Sequence, residues 1–562
     1  MPHVTDMDVS KLPNFHPVPW DTEFEPMALP DMFARTVERR GDAPLLHFLG
    51  RSYGYNELFI EAHSFARALQ ARGIAPGDRV GLFLPNVPSY VSAYYGAMMA
   101  GAVVVNFSPL YSVDELAQQV ADSGTRLLVT VDIPELYAAA AKVLRGSALE
   151  MLVVSKLSAM LPKLKGIALR IFGRGKIASV TYGEDVLDWT ALIDGAPEQA
   201  DLPHVEPQSI ALLQYTGGTT GVPKGAMLSH ANLSVNAQQT AGLNPFGDPE
   251  GEVFMGALPF FHVFANTALL NHAVVTGAAI AMVPRFETKQ VLQTIERYGA
   301  TGFPGVPTMF QALLDHPNLA KTDLSTLKVC ISGGAPLPGP LREKFEAATG
   351  VRLVEGYGLT ESSGVVSANP YEGQRKLGTI GQVLMGTEVL LLDKEDPAVL
   401  APEGEPGELA LHGPQIMQGY WKRPEAAKDV FVEHHGKQWL RTGDVATLDS
   451  DGFLEIVDRI KDMISVGGFK VFPSQVEDVL LENDAVKEAL VIGVPDDYLG
   501  ERPRAYVTLN ADADASGDQL AEWMNARVGK HERVESVVVR EELPKTMIGK
   551  LDRKALRAEV FG

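Results

Sequence analysis

From Arg79 to Val131 the chain reads RVGLFLPNVPSYVSAYYGAMMAGAVVVNFSPLYSVDELAQQVADSGTRLLVTV. Short apolar runs (RVGLFL, VVVNF, RLLVTV) alternate with two stretches of helical texture, SYVSAYYGAMMAG and VDELAQQVADSG. Strands buried on both faces read as continuous apolar runs, and their alternation with helices implies a parallel sheet wrapped by helices. The most apolar run, AYYGAMMAGAVVV (Ala93–Val105), is shorter than the ~18 residues needed to suspect a membrane span. It reads as a helix, a Gly turn and a buried strand.

The alternation returns from Ala278 with AAIAMVP, KQVLQTIERYG and ATGFPGVP, and runs to KVCISGG at Lys328–Gly334. Two layered α/β subdomains are therefore expected. After about Ala410 the texture changes to LALHGPQIMQGYW and WLRTGDVATLDSDGFLEIVDR, whose DSDG turn marks short antiparallel strands and a small β-barrel-like subdomain. From Ile460 a small mobile α+β unit is expected, with the helix SQVEDVLLEN and strands KEALVIGV and RAYVTLN. The fold class is thus α/β, with an N-terminal domain over 1–459 and a C-terminal domain over 460–562. The charged step Asp458–Lys461 between them is the expected hinge.

A length of 562 residues allows several subdomains, and 46% hydrophobic with 21% charged residues describes an ordinary globular chain. Seventy acids against forty-nine Lys and Arg give a net charge of −21, which argues against nucleic acid as a partner. The N-terminus has neither a basic start nor an apolar core, so no secretory signal is expected. The lone Cys330 cannot pair internally, which fits a reducing, cytoplasmic compartment, and mid-strand in KVCIS it reads as a buried, inert thiol. One segment departs from the acidic balance. Lys156, Lys163, Lys165, Arg170, Arg174 and Lys176 are interleaved with Leu, Ile and Phe and no acid, either as a solvated helix face or as a patch resting on anionic lipid at the inner membrane surface.

Tyr215–His230, YTGGTTGVPKGAMLSH, carries chemistry. Backbone N–H groups approach a phosphate closely where Cβ atoms are missing, so Gly217, Gly218 and Gly221 read as an anion cradle. Thr216, Thr219 and Thr220 add hydroxyls and Lys224 a charge. It is not a Walker A loop, because Pro223 precedes the Lys and Gly225 follows it. Alone, it reads equally as a structural turn.

With LPFFHVF at Leu258, ISGGAPL at Ile331, EGYGLTES at Glu355, GELALHGPQIMQGYW at Gly407, RTGD at Arg441, DRIKDMISVGGFKVFP at Asp458 and ELPKTMIGK at Glu542, the loop resembles the adenylate-forming superfamily, and most closely its bacterial medium- and long-chain fatty-acid CoA ligases. The resemblance covers nearly the whole chain after about residue 50. It implies an acid–thiol ligase that uses ATP, Mg²⁺ and CoA. The acid attacks the α-phosphorus of ATP and expels pyrophosphate, then the CoA thiol takes the acyl group and expels AMP. Lys550 would reach the carboxylate and α-phosphate together, and Thr360 would contact the α-phosphate. Thr216 and Glu361 would hold Mg²⁺. Gly334, Ala335, Glu355, Gly356, Tyr357 and Gly358 would bind the nucleoside, with Asp444 and Arg459 on the ribose. His262 would gate an acyl pocket lined by Val306, Pro307 and Met309, although a core strand and helix start explain the last three as well. Lys461 would be the hinge, and Gly467 and Gly468 would line the CoA tunnel once the C-terminal domain turns. A homodimer is the common state of such enzymes.

The pattern departs in VGKHERVESVVV (Val528–Val539), where many relatives carry a Pro, which leaves Lys530 and Arg533 as candidates either for positioning the C-terminal domain or for the CoA phosphates. No carrier domain follows Lys550, so a free thiol such as CoA is the expected acceptor. An aryl-acid or dicarboxylate CoA ligase is the alternative within the same chemistry, and a non-catalytic acyl or nucleotide binder is the alternative outside it. Nothing in the sequence selects a luciferase-like oxygenase.

Overall fold

A computed structural model describes residues 11–561, apart from 174, 217–222, 468, 497, 512, 547–548 and the side chain of 470. The opening alternation is borne out. Arg79–Leu82, Val103–Asn106 and Thr125–Val131 are strands separated by the helices Pro88–Met99 and Val113–Ser123. Gly101, at φ +74°, makes the turn between the first helix and Val103, a conformation that a residue with a Cβ adopts at a cost. Seven strands form this sheet in the order Val186–Asp188, Met151–Ser155, Thr125–Val131, Arg79–Leu82, Val103–Asn106, Ile210–Thr216, Lys224–Ser229. All pairings are parallel except the last, which is an antiparallel hairpin.

The second alternation gives a nine-stranded sheet. Its parallel centre runs Arg352–Tyr357, Val329–Ser332, Gly302–Gly305, Val253–Gly256, Ala279–Met282, Pro44–Phe48, with antiparallel strands at both edges. One core joins the two sheets: Leu46, Phe48 and Ile280 of the second pack in the same cluster as Val104 and Leu212 of the first. A second core lies on the other face, around Phe303, Phe310, Cys330 and Leu353. Cys330 is fully buried there, and burial pushes its thiol well above the ordinary range, so it is inert.

The region after Ala410 folds as expected into antiparallel strands. Glu388–Leu392, Gly407–His412, Lys437–Leu448 and Phe431–His434 pair in that order, and Leu454–Arg459 pairs with the long central strand. The register shifts between Glu408 and Ala410 and between Val445 and Ala446, irregularities of the kind that bend and twist a sheet locally. A smaller α+β unit follows. Its hairpin Val486–Asp496/Gly500–Leu509 is flanked by Ile464–Val466 and Val537–Val539 and covered by the helices Pro473–Leu481 and Gly517–Asn525. It has its own core, including Val476, Val491, Val507 and Met524.

Candidate active site

Ile210–Thr216 ends at the phosphate-loop sequence, where open α/β sheets bind ligands at the carboxyl ends of their strands. Gly217, Gly218, Thr219, Thr220 and Gly221 lie outside the described residues. Their flanks do not. Thr216 pairs with Lys224 across the hairpin, and Lys224 Nζ stands 5.3 Å above the ring of Tyr420. Tyr420 Oη donates to Glu361 Oε1 at 2.7 Å, so the loop cation, this ring and the carboxylate form one chain of contacts. Tyr420 was not singled out in the sequence, although it stands within the GYW of the Gly407 run.

Glu361 sits in the single turn Thr360–Ser362, and its carbonyl accepts from Met417 N at 2.8 Å. Gly358 has no room for a side chain: a Cβ would stand 2.1 Å from Gly364 O. That close backbone approach turns the chain between Tyr357 and Thr360. Tyr357 Oη donates to Asp444 Oδ2 at 2.5 Å, and Asp444 Oδ1 pairs with Arg459 Nε at 3.0 Å. Asp444 and Arg459 are cross-strand partners. Asp444 is buried, while the Arg459 side chain is half-exposed toward the cleft. The RTGD turn is held from below by Glu408, buried, whose carboxylate accepts from Arg441 at 2.7 Å and from Gly443 N at 3.1 Å.

Lys550 reaches this site from the smaller unit. It ends a tight turn closed by Thr546 N donating to Lys550 O at 2.7 Å. Its side chain lies on Gly334, at φ +80°, where a Cβ would stand 2.7 Å from Cε and 3.1 Å from Nζ. Val306 borders the same spot. Burial lowers the ammonium to about 8, Arg459 adds to the fall, and Asp444 opposes it. Glu355 is raised to about 8 by burial, although its Oε1 accepts from Leu337 N at 3.1 Å. Two groups that titrate near neutrality thus face one cavity.

His262 precedes the helical turn Val263–Ala265, and its Nδ1 accepts from Phe264 N at 3.3 Å. Burial, with a smaller push from Lys550, lowers it to about 3, so the ring is neutral with its proton on Nε2. The backbone beside it is fixed by buried amides. Gln214 donates to Phe261 O at 3.0 Å, and Asn86 exchanges hydrogen bonds with Leu258 O and Phe260 N, both at 2.8 Å.

A continuous cavity of about 2200 Å³ takes in Thr216, Lys224, His262, Val306, Pro307, Gly334, Ala335, Glu355 to Glu361, Asp444, Arg459, Lys461 and Lys550. The structure therefore gathers most of the expected site. Met309 is instead packed in the hydrophobic core, and Thr308 and Gln311 of its helix line the cavity. Gly467 is exposed near Leu499 and outside the lining, and Gly468 lies outside the described residues. Among the described residues no three His, Cys, Asp or Glu side chains cluster to hold a metal. The oxygens of Thr216 and Glu361 suit a Mg²⁺ held largely by phosphate and water.

A hairpin carrying Lys224, an Asp–Arg pair on an aromatic hydroxyl and a lysine entering from a second domain match what the resemblance to adenylate-forming enzymes led one to expect. The model of the AMP-binding enzyme matches residues 33–421, and that of the AMP-binding enzyme C-terminal domain matches 475–550. The chain belongs to the AMP-binding enzyme family. A long-chain-fatty-acid–CoA ligase of Bacillus subtilis is 36% identical over 546 residues, 96% of each chain. Among solved structures, ATP-bound MatB from Rhodopseudomonas palustris matches with a TM-score of 0.82 at 27% identity, covering 94% of this chain and 98% of that one. Apo MatB, with the same identity and coverage, gives 0.73.

Proposed function

We propose that this protein joins a fatty acid to AMP at the expense of ATP and passes the acyl group to CoA. The observation that carries the reading is Lys550 lodged on Gly334 within the cavity shared by Asp444, Tyr357 and Glu361. A protein that merely bound nucleotide would not need a buried ammonium delivered by another domain. Kinship with a fatty-acid ligase supports the substrate class.

A carboxylate is a poor acceptor for a thiol, and forming the acyl-adenylate supplies a stabilised leaving group. As the acid oxygen attacks the α-phosphorus, negative charge accumulates on the phosphate oxygens, and positioned cations lower that barrier. Lys550 holds the acid carboxylate and α-phosphate together, and Thr360 donates to the same phosphate. Asp444, set by Tyr357 and Arg459, accepts from the ribose hydroxyls. Gly334, Ala335 and Gly356 offer backbone edges to adenine. Thr216 and Glu361 would hold Mg²⁺, which when bound would neutralise phosphate charge. His262, neutral, acts as a gate to the acyl cavity. The better match to ATP-bound than to apo MatB supports a domain arrangement poised for the first half-reaction. For the second, the C-terminal domain, from Ile460 onward, swings about Lys461, withdraws Lys550 and brings Gly467 and Gly468 to the thiol. Acid-dependent exchange of pyrophosphate into ATP, followed by thioester formation across acids from acetate to oleate with benzoate and adipate, tests this. Strongest turnover with aliphatic acids supports the reading, and exchange with no acid overturns it.

No described helix is long and apolar enough to cross a membrane. The helix Lys163–Phe172 nevertheless turns Leu164 (82% exposed), Ile167, Ile171 and Phe172 (84%) outward along one face. Its basic residues are partly committed inward: Lys165 donates to Leu49 O, Arg170 to Ser158 Oγ, and Lys156 pairs with Asp188. Arg174 lies outside the described residues. An outward apolar face beside Lys163 and Lys176, in a chain otherwise acidic, fits an anionic bilayer from which fatty acids are drawn. Co-sedimentation with phosphatidylglycerol vesicles, lost in Leu164→Asp/Phe172→Asp, is the expected result. A homodimer that the same substitutions dissociate, with no vesicle binding, would assign the face to a second copy instead.

A further inference from the structure

The cavity that takes in His262 is also lined by Val263, Ala268, Ile331 and Val365, the apolar groups an acyl chain requires. Its lining also includes polar groups that an unsubstituted chain has no use for: Thr240 of the helix His230–Ala241, His272 of the helix His272–Thr276, and Glu252. His272 is 6% exposed, its ring packed edge-on against Phe254 at 4.8 Å. Nδ1 lies 3.1 Å from Thr240 Oγ1. That hydroxyl has one proton and donates it to Ala237 O at 2.8 Å, so Nδ1 must be the donor of the Thr240 contact. Burial lowers His272 to about 4, so the ring is neutral and Nε2 is a bare acceptor. Among the described residues Nε2 has no hydrogen-bond partner.

We propose that this end of the acyl cavity recognises a hydroxyl carried at or near the ω end of the fatty acid, with His272 Nε2 as its acceptor and Thr240 fixing the tautomer. The inference rests on the fatty-acid ligase reading. A hydroxyl offers the donor that Nε2 lacks, whereas a methyl terminus leaves a buried acceptor unmet. An ω-carboxylate offers Nε2 no proton, and Glu252, a carboxylate in the same lining, is already paired with Lys328. The structure thus separates hydroxyl from carboxylate as well as from methyl.

The test compares kcat/KM for ω-hydroxy, ω-carboxy and unsubstituted acids of equal length, across a series of lengths. At the matching length the ω-hydroxy acid should equal or exceed its unsubstituted counterpart, with the ω-carboxy acid well below both. His272→Leu should lower the hydroxy-to-unsubstituted ratio about tenfold, the scale of one hydrogen bond. Thr240→Val, which frees the tautomer, should lower it in the same direction by less. The ratio is read within each variant, and the wild-type series stands alone if a variant fails to fold. Brisk turnover of unsubstituted acids with ω-hydroxy acids rejected at every length, or a ratio unmoved in His272→Leu, overturns the proposal and leaves the ligase reading intact. No turnover of any acid overturns both.

Discussion

Among the described residues no carboxylate pairs with Lys550, and burial, with Arg459, depresses its proton affinity. A partly buried ammonium so placed awaits anions, and the reacting carboxylate and phosphate supply them. The free enzyme should therefore lose kcat/KM for acyl-adenylate formation as pH rises through about 8, because the charged form exists below that value. Glu355 titrates in the same range. Lys550→Arg should abolish the alkaline limb in pyrophosphate-release assays and Glu355→Gln should keep it; the reverse pattern would move the limb to the carboxyl. Lys550→Ala should cost roughly 10²–10³ in the first half-reaction, with thioester formation from supplied acyl-adenylate spared. Gly334→Ala places a methyl on the lysine's Cε, the movable end of a flexible side chain, and should displace the ammonium, with some added backbone strain because Gly334 sits at φ +80°. About a tenfold or greater loss confined to adenylation is expected. Loss of both half-reactions equally would show a structural fault instead.

The single turn Ile460–Asp462 lies between two anchored points. Arg459 is tied back to Asp444, and Asp462 is held by Arg553, which also pairs with Glu477. On the proposed domain swing, these pairs would confine rotation to Ile460 and Lys461. Lys461→Pro, which fixes φ at the pivot, should slow thioester formation from supplied acyl-adenylate and spare pyrophosphate release. Wild-type rates in both would defeat the swinging-domain account. Most of the elements around this pivot were legible in the sequence, because parallel strands buried on both faces announce themselves as Val- and Leu-rich runs and the DSDG turn marks its hairpin. The hairpin Pro44–Phe48/Arg51–Gly54 was not, since its place beside Ala279–Met282 depends on a partner far along the chain. Tyr420 and Glu408 were missed for the same reason: what distinguishes them is proximity to Glu361 and to the RTGD turn, and sequence spacing does not encode it. Met309 shows the converse, where helical phase turned the residue from the cavity to the core.

The buried His16, His230 and His272 and the partly buried His262 are all lowered by loss of water to about 3 or 4. Their unfolded forms take a proton near 6.5. Their contribution to stability is complete above that pH and declines as pH falls from 6.5 toward 4, where the unfolded chain binds protons that the native state refuses. Each contributes a slope of about 1.4 kcal/mol per pH unit, roughly 5 for the four together. The thermal midpoint should drop steeply over that window, and His230→Gln, which keeps an acceptor for Leu29 N, should flatten the drop. A midpoint level down to pH 4 would refute the neutral assignment. Assembly imposes a demand of its own, because Leu46 pairs with Ile280, about 230 residues later. At ribosomal rates of about 5–20 residues per second, the early strand waits roughly ten to fifty seconds for its neighbour. Throughout that interval the strand carrying Leu45, Leu46 and Phe48, all destined for full burial, lacks its parallel neighbour. Translation of this protein consequently leaves a long period in which chaperones, or aggregation, can act before the nine-stranded sheet closes.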